Sequence, residues 1–202
     1  MRIKTFLNLT LLLSLLSCNK ESEQDLISRM NNNIAGNYKY ESISWSGPAI
    51  DFNGDGKADT DMIKEYAGMD NCENLLKSKN SGVVARLYKL NSATSIFISV
   101  PMQILYYEKD TEQYRSGSGG LGGVEQTSVQ YLLYKSGDIS FDYSDSFKTK
   151  DSDDRVDLVK GGKILSLADG VMKFTAECSF YDHLTKSVVS GTLEAKMIRA
   201  EK

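Results

Sequence analysis

Asp51, Asn53, Asp55 and Asp59 place oxygen-bearing side chains at the first, third, fifth and ninth positions of one short stretch, with Gly56 at the sixth. Calcium takes six to eight hard oxygen ligands at about 2.3 to 2.6 Å, and alternate residues of a tight loop can aim their oxygens at one point. The carbonyl of Lys57 would add a ligand, and water would complete the shell. The spacing departs from the twelve-residue calcium loop at its last position, where Met62 replaces the bidentate glutamate. Asp59 then closes the site, with Asp61 as its substitute. The same Asn-Gly-Asp-Gly string also suits a polar turn without metal. Calcium in a structural role is the expectation, because nothing nearby supplies a base or a nucleophile.

Other chemistry-bearing residues are sparse. Asp151, Asp153, Asp154 and Asp157 cluster without a glycine or a spacing that would converge their oxygens, and read as a solvated loop. His183 is the only histidine, which excludes zinc sites built on several histidines. Cys178 and His183 stand five apart and fall on opposite faces of a continuous strand, so a Cys-His dyad is disfavoured; no G-x-S-x-G occurs. Gly117, Gly119, Gly120, Gly122 and Gly123 lack the following helix and Gly-Lys-Ser/Thr of a phosphate loop. The chain therefore reads as a non-enzyme. A hydrolase using two carboxylates is a third, weaker reading, since acids distant in sequence can meet in space.

Cys18 ends a short export segment. Arg2 and Lys4 form a positive start, residues 6–16 a leucine-rich apolar run, and Leu15-Leu16-Ser17-Cys18 resembles the lipobox cleaved by lipoprotein signal peptidase. That run is about half the roughly 20 residues of a spanning helix. Residues 1–17 are expected to be removed and Cys18 to be lipidated, so that two or three acyl chains (palmitate among them) anchor the protein to the membrane. Removing 17 of 202 residues leaves 185, and losing Arg2 and Lys4 moves the formal charge from −3 to −5. Such acidity, with no basic run among aromatics, argues against nucleic acid. Cys72 and Cys178 then remain as an even pair, either one disulfide or two buried free thiols.

These residues must be carried by a scaffold, and period-two alternation dominates the pattern that would build it. Met172, Phe174, Ala176, Cys178 and Phe180 share one face while Lys173, Thr175, Glu177 and Ser179 share the other. Val189, Gly191, Leu193, Ala195 and Met197 repeat the alternation, predicting a hairpin through residues 182–185. Further strands are predicted at residues 38–45, 83–90, 95–108 with a bend at Pro101, 128–135, 139–143, 156–160 and 163–167, the last two joined by a turn at Gly161-Gly162. Short helices are predicted near residues 26–32 and 61–67, the second capped by Thr60. The fold class is all-β, with residues 18–33 a polar tether and residues 34–202 one domain.

A resemblance joins these observations. The lipobox, Ile34-Ala35-Gly36-Asn37-Tyr38 opening the first strand, the Asp51 to Gly56 string with Ala58, Thr60-Asp61-Met62 and Glu65 before Cys72 look like the lipocalin-like lipoproteins of Gram-negative bacteria. Tyr38 stands where lipocalins carry the tryptophan of Gly-x-Trp. The aspartate loop is similar to the short loops of integrin-type calcium modules. The resemblance implies an antiparallel up-and-down barrel of about eight strands with one or two short helices, anchored to the outer membrane on its periplasmic or surface face. On this reading the barrel binds or carries a small, partly apolar ligand, with Met172, Ala176 and Gly191 leaving room inside. The alternative is a calcium-stabilised surface module for protein or glycan, whose candidate aromatics are Trp45, Tyr106, Tyr107 and Tyr114.

Overall fold

The computed structural model describes residues 22–77, 94–103, 105–116, 123–134, 138–143 and 158–200. The export segment, Cys18, the strand predicted at residues 83–90 and the acidic cluster at residues 151–157 lie outside these residues.

The described chain is mostly antiparallel β-structure with a few short helices. It runs through α1 (Glu23–Ile34), β1 (Tyr38–Trp45), α2 (Met62–Glu65), α3 (Asp70–Lys77), β2 (Thr94–Met102), β3 (Leu105–Glu108), β4 (Gln113–Ser116), β5 (Gly123–Leu133), β6 (Ile139–Asp142), β7 (Leu158–Ala168), β8 (Val171–Asp182) and β9 (Ser187–Arg199). One sheet has the order β1-β9-β8-β7, a second β2-β5-β6, and β3 and β4 form a separate ribbon.

Alternation in β8 and β9 produces the larger sheet. Met172, Phe174, Ala176, Cys178 and Phe180 are buried, Lys173 and Glu177 are exposed, and the two strands pair from Val171–Ile198 to Asp182–Ser187. β1 pairs with the far side of β9, from Tyr38–Arg199 to Trp45–Leu193, with an irregularity between Tyr40 and Ser42. The two strands predicted at residues 156–160 and 163–167 are one, β7: Gly161 and Gly162 pair with Glu177 and Ala176 inside it, after a register shift between Val159 and Gly161. The glycine pair, which could make a turn, here lies inside the ladder next to the irregularity at Lys160. The predicted bend at Pro101 falls slightly later, because β2 ends at Met102 and β3 begins at Leu105.

Asp61, not Thr60, caps α2, its carboxylate accepting from Ile63 N at 3.1 Å. α3 and β4 were not predicted. α1 occupies much of the stretch expected as tether, and Ile34 at its end is buried in the core.

The core lies between the two larger sheets. Ile96, Ile98, Val100, Met102, Val129 and Tyr131 from one meet Tyr40, Ile43, Trp45, Phe174, Phe180, Leu193 and Met197 from the other in one contiguous cluster, which Met62, Tyr66, Met69 and Cys72 extend from the helices. No strand ladder joins the sheets into a closed barrel among the described residues. Two tyrosine hydroxyls span the gaps. Tyr40 of β1 donates to Ser99 O of β2 at 2.6 Å, and Tyr143, just after β6, accepts from Ile164 N of β7 at 2.8 Å.

Candidate functional site

The aspartate loop is held from below before it turns outward. Phe52 is fully buried and meets Tyr66 and Phe180 edge-on, with ring centroids 5.1 and 4.9 Å away. Asp51 N donates to the buried Asp182 carboxylate at 3.0 Å, and His183 N donates to Asp51 O at 3.0 Å. The β8–β9 turn thus grips the root of the loop. Burial alone would raise the Asp182 carboxyl, but donors from Thr185, Asp51 and Leu184 bring it below the ordinary aspartate value. At the other end, Ile50 and Asp59 exchange backbone bonds of 3.1 and 3.2 Å, closing the loop like a small hairpin.

Between these ends a succession of side-chain turns orders the loop. Asp51 accepts from Gly54 N at 2.8 Å and Gly56 N at 3.1 Å, Asn53 from Asp55 N at 2.9 Å, and Asp55 from Lys57 N at 2.8 Å. Both glycines have positive φ, +79° at Gly54 and +84° at Gly56, as the tight path requires. A carboxylate accepting one or two backbone donors keeps lone pairs for a hard cation.

Asp59 is engaged elsewhere. Its oxygens accept from Thr60 N and Asp61 N at 2.8 and 2.9 Å and pair with Lys64 Nζ at 2.7 Å. The Lys64 bond leads in holding its carboxyl down at about 2. Glu65 stands closer to the loop. Its carboxylate accepts from Phe52 N at 2.7 Å while the residue is 3% exposed. Burial pushes it above the ordinary glutamate value; the nearby Asp51 and Asp55 charges push further, against donors from Phe52 and Asn53. Among the described residues, no three acidic, histidine or cysteine side chains are gathered closely enough to hold an ion. The donors fit calcium in kind: carboxylates of Asp51 and Asp55, the Asn53 amide oxygen, the Lys57 carbonyl and, through a shift of its side chain, Glu65. Sequence spacing missed Glu65 because it falls outside a twelve-residue loop window. Its place on α2, one turn after the capping Asp61, was the available signal.

The aromatic candidates divide. Trp45 is buried, Tyr106 is 40% exposed, and Tyr107 and Tyr114 are half-buried. Tyr107 packs on Tyr114 at 5.2 Å, Tyr114 on Tyr181 at 4.3 Å, and Tyr181 on His183 at 5.0 Å. The row ends on the aspartate loop, where the His183 ring lies 3.5 Å from the position of a Cβ on Gly54. Fully buried Gln103 fixes this junction: it donates to Phe52 O and Tyr181 O at 2.9 and 2.7 Å and accepts from Tyr181 N at 2.8 Å.

Met172 and Ala176 are fully buried, and the space at Gly191 is taken by the Trp45 ring. Cys72 and Cys178 are buried and are not joined by a disulfide. Cys72 faces Met102 O and Gly123 O at 3.5 and 3.4 Å, and burial raises its thiol to about 11, which makes it a poor nucleophile. No family model matches the chain, and neither does any curated protein or solved structure.

Proposed function

We propose that this chain is a non-enzymatic, lipid-anchored module of the Gram-negative outer membrane, which uses a calcium-ordered loop and its adjoining tyrosine row to engage protein or glycan. Its two sheets form the wall of a lipocalin-like barrel whose seams are the Tyr40–Ser99 and Tyr143–Ile164 contacts. The observation that carries this reading is the continuity from Tyr107 through Tyr114, Tyr181 and His183 to Gly54. Aromatic side chains offer a rigid apolar surface with a polar edge, the composition favoured at binding patches. Calcium bound by Asp51, Asn53, Asp55, the Lys57 carbonyl and Glu65 would neutralise carboxylates beside that row and fix its end, whereas Asp59 serves α2 through Lys64. Carriage of a small apolar ligand has weaker support, since the Trp45 ring fills the space at Gly191 and Met172 and Ala176 are packed within the core.

The discriminating experiment presents the full-length protein to an array of envelope glycans and to outer-membrane proteins, with calcium and with chelator. Binding that needs calcium and is lost in Tyr114→Ala supports the module. A stoichiometric apolar molecule released in native mass spectrometry, together with array binding indifferent to calcium and to Tyr114, would favour the carrier.

A further inference from the structure

At the opposite end of the larger sheet, Arg199 closes β9 beside a cleft of about 490 Å³ lined by Asn33, Asp169, Gly170, Val171, Ile198 and Arg199. Two glycines make room for its side chain: a Cβ on Gly36 would stand 3.4 Å, and one on Gly170 3.3 Å, from Arg199 stem atoms. Both have positive φ, +144° and +73°. The guanidinium carbon lies 5.9 Å from the centre of the Tyr38 ring, and its charge opposes the rise that burial imposes on the Tyr38 phenol. The stem and one side of the head are therefore accounted for.

The other side is not. Nε and Nη2 are buried and have no hydrogen-bond partner, and no carboxylate pairs with the guanidinium among the described residues. These two nitrogens form the side-on edge of a guanidinium, the edge that takes two oxygens of a carboxylate or phosphate at once. A buried charged donor without an acceptor is costly, so an acceptor at this edge returns a large interaction for a small contact. Neither nitrogen faces bulk water, whereas Asn33 and Asp169 of the cleft lining are exposed. Asp169 repels a dianion more than a monoanion. The volume exceeds what a bare carboxylate needs and suits a small molecule or a headgroup. Asn33 belongs to the last turn of α1, the helix through which the chain comes from Cys18, so on the lipid-anchor reading this end of the sheet adjoins the tether.

We infer that the Arg199 cleft is an oxyanion site for a phosphodiester monoanion, held two-pronged by Nε and Nη2, of the kind carried by lipid headgroups and their soluble glycerol esters. The site is remote from the aspartate loop and requires no calcium.

The test uses the full-length protein in a maltoside detergent, titrated calorimetrically with glycerophosphoglycerol, and the protein in nanodiscs with and without phosphatidylglycerol, read by ³¹P relaxation. Saturable binding of the soluble ester, of the nanodisc lipid or of both supports the site and identifies the source. Arg199→Lys keeps the charge without the two-pronged edge and should weaken binding at least tenfold. Asp169→Asn, at an exposed turn, should tighten it severalfold. The inference is overturned if neither probe binds at about 20 mM, if acetate binds as tightly as the ester, if Arg199→Lys leaves affinity unchanged, or if Asp169→Asn weakens binding.

Discussion

The ring of Trp45 occupies the space above Gly191: a Cβ at Gly191 would lie 2.6 Å from ring atom Cζ2. The two residues belong to neighbouring strands, β1 and β9, and the missing side chain lets the largest one pack across the sheet. Trp45 also meets Phe180, with centroids 5.1 Å apart, so the indole is wedged from a second side. Gly191→Ala is expected to cost about 1 to 3 kcal/mol, the usual range for overpacking a rigid site. A urea midpoint unchanged from the parent protein would show that the indole moves aside freely.

Gln103 joins the two sheets and the loop through one amide. Gln103→Leu keeps much of the volume but orphans Phe52 O, Tyr181 O and Tyr181 N, which Gln103 satisfies at 2.7 to 2.9 Å. Each buried orphan costs about 1 to 3 kcal/mol, so a loss of roughly 3 kcal/mol or more is expected in chemical denaturation. Hydrogen exchange at Tyr181 N should rise more than at Met197 N, because only the first loses its acceptor. Equal acceleration at both would mean a global effect rather than loss of this junction.

What was legible in the sequence follows a single physical rule: features set by neighbours along the chain could be read, and features set by distant partners could not. Alternation in β8 and β9 fixes which face is wet, whatever lies opposite, and their faces and hairpin agree with the pattern except at Ser179, expected on the wet face and buried in the structure. Gly161-Gly162 suits a turn as well as a strand interior, and only pairing with Glu177 and Ala176 distinguishes the two. The aspartate string marked the loop, but neither Glu65 beneath it nor Gln103 behind it has a local signature. Tyr181 sits on a strand of regular alternation, and its role in the aromatic row depends on Tyr114 across a long sequence separation.

Lipidation at Cys18 has its own test. Cys18→Ser should abolish processing by lipoprotein signal peptidase and incorporation of a palmitate analogue, leaving the rest of the chain in the membrane fraction only through the uncleaved segment. Cells expressing both forms, labelled with an alkyne fatty acid, should show one labelled band. Equal labelling of the variant would refute the anchor.

The pH dependence of stability around the loop carries opposite signs at Glu65 and Asp59. Glu65 is raised, so in chelator its contribution to stability is fully present below the ordinary glutamate value, about 4.3, and is lost as pH rises through its higher folded value. Asp59 is lowered to about 2, so its contribution is present above the ordinary aspartate value and is lost as pH falls toward 2. Glu65→Gln should therefore stabilise the calcium-free protein relative to the parent at about pH 7, with the advantage vanishing near pH 4. Urea midpoints at both pH values decide this. An advantage that grows on acidification would reverse the assignment.

Burial is the main cause that raises Glu65; calcium should remove the Asp51 and Asp55 repulsion that adds to it, and the size of its effect is bounded. A ligand that binds only the folded state contributes RT ln(1 + [L]/Kd), about 1 kcal/mol at five times Kd. With Kd near the 10⁻⁴ to 10⁻³ M common in extracellular modules, a few millimolar calcium should raise the thermal midpoint by roughly 2 to 9 °C, the low end belonging to the weaker Kd. Asp55→Ala removes an exposed ligand whose only observed bond is to Lys57 N, so it should abolish the rise while leaving the calcium-free midpoint nearly unchanged. Asp59→Asn should retain most of the calcium effect, because its carboxylate serves Lys64 and the start of α2. Glu65→Gln should reduce that effect without eliminating it. Indifference of the parent protein to both millimolar calcium and chelator would make the loop a polar turn held by its own side chains; loss of the effect in Asp59→Asn but not in Glu65→Gln would return the closing ligand to Asp59.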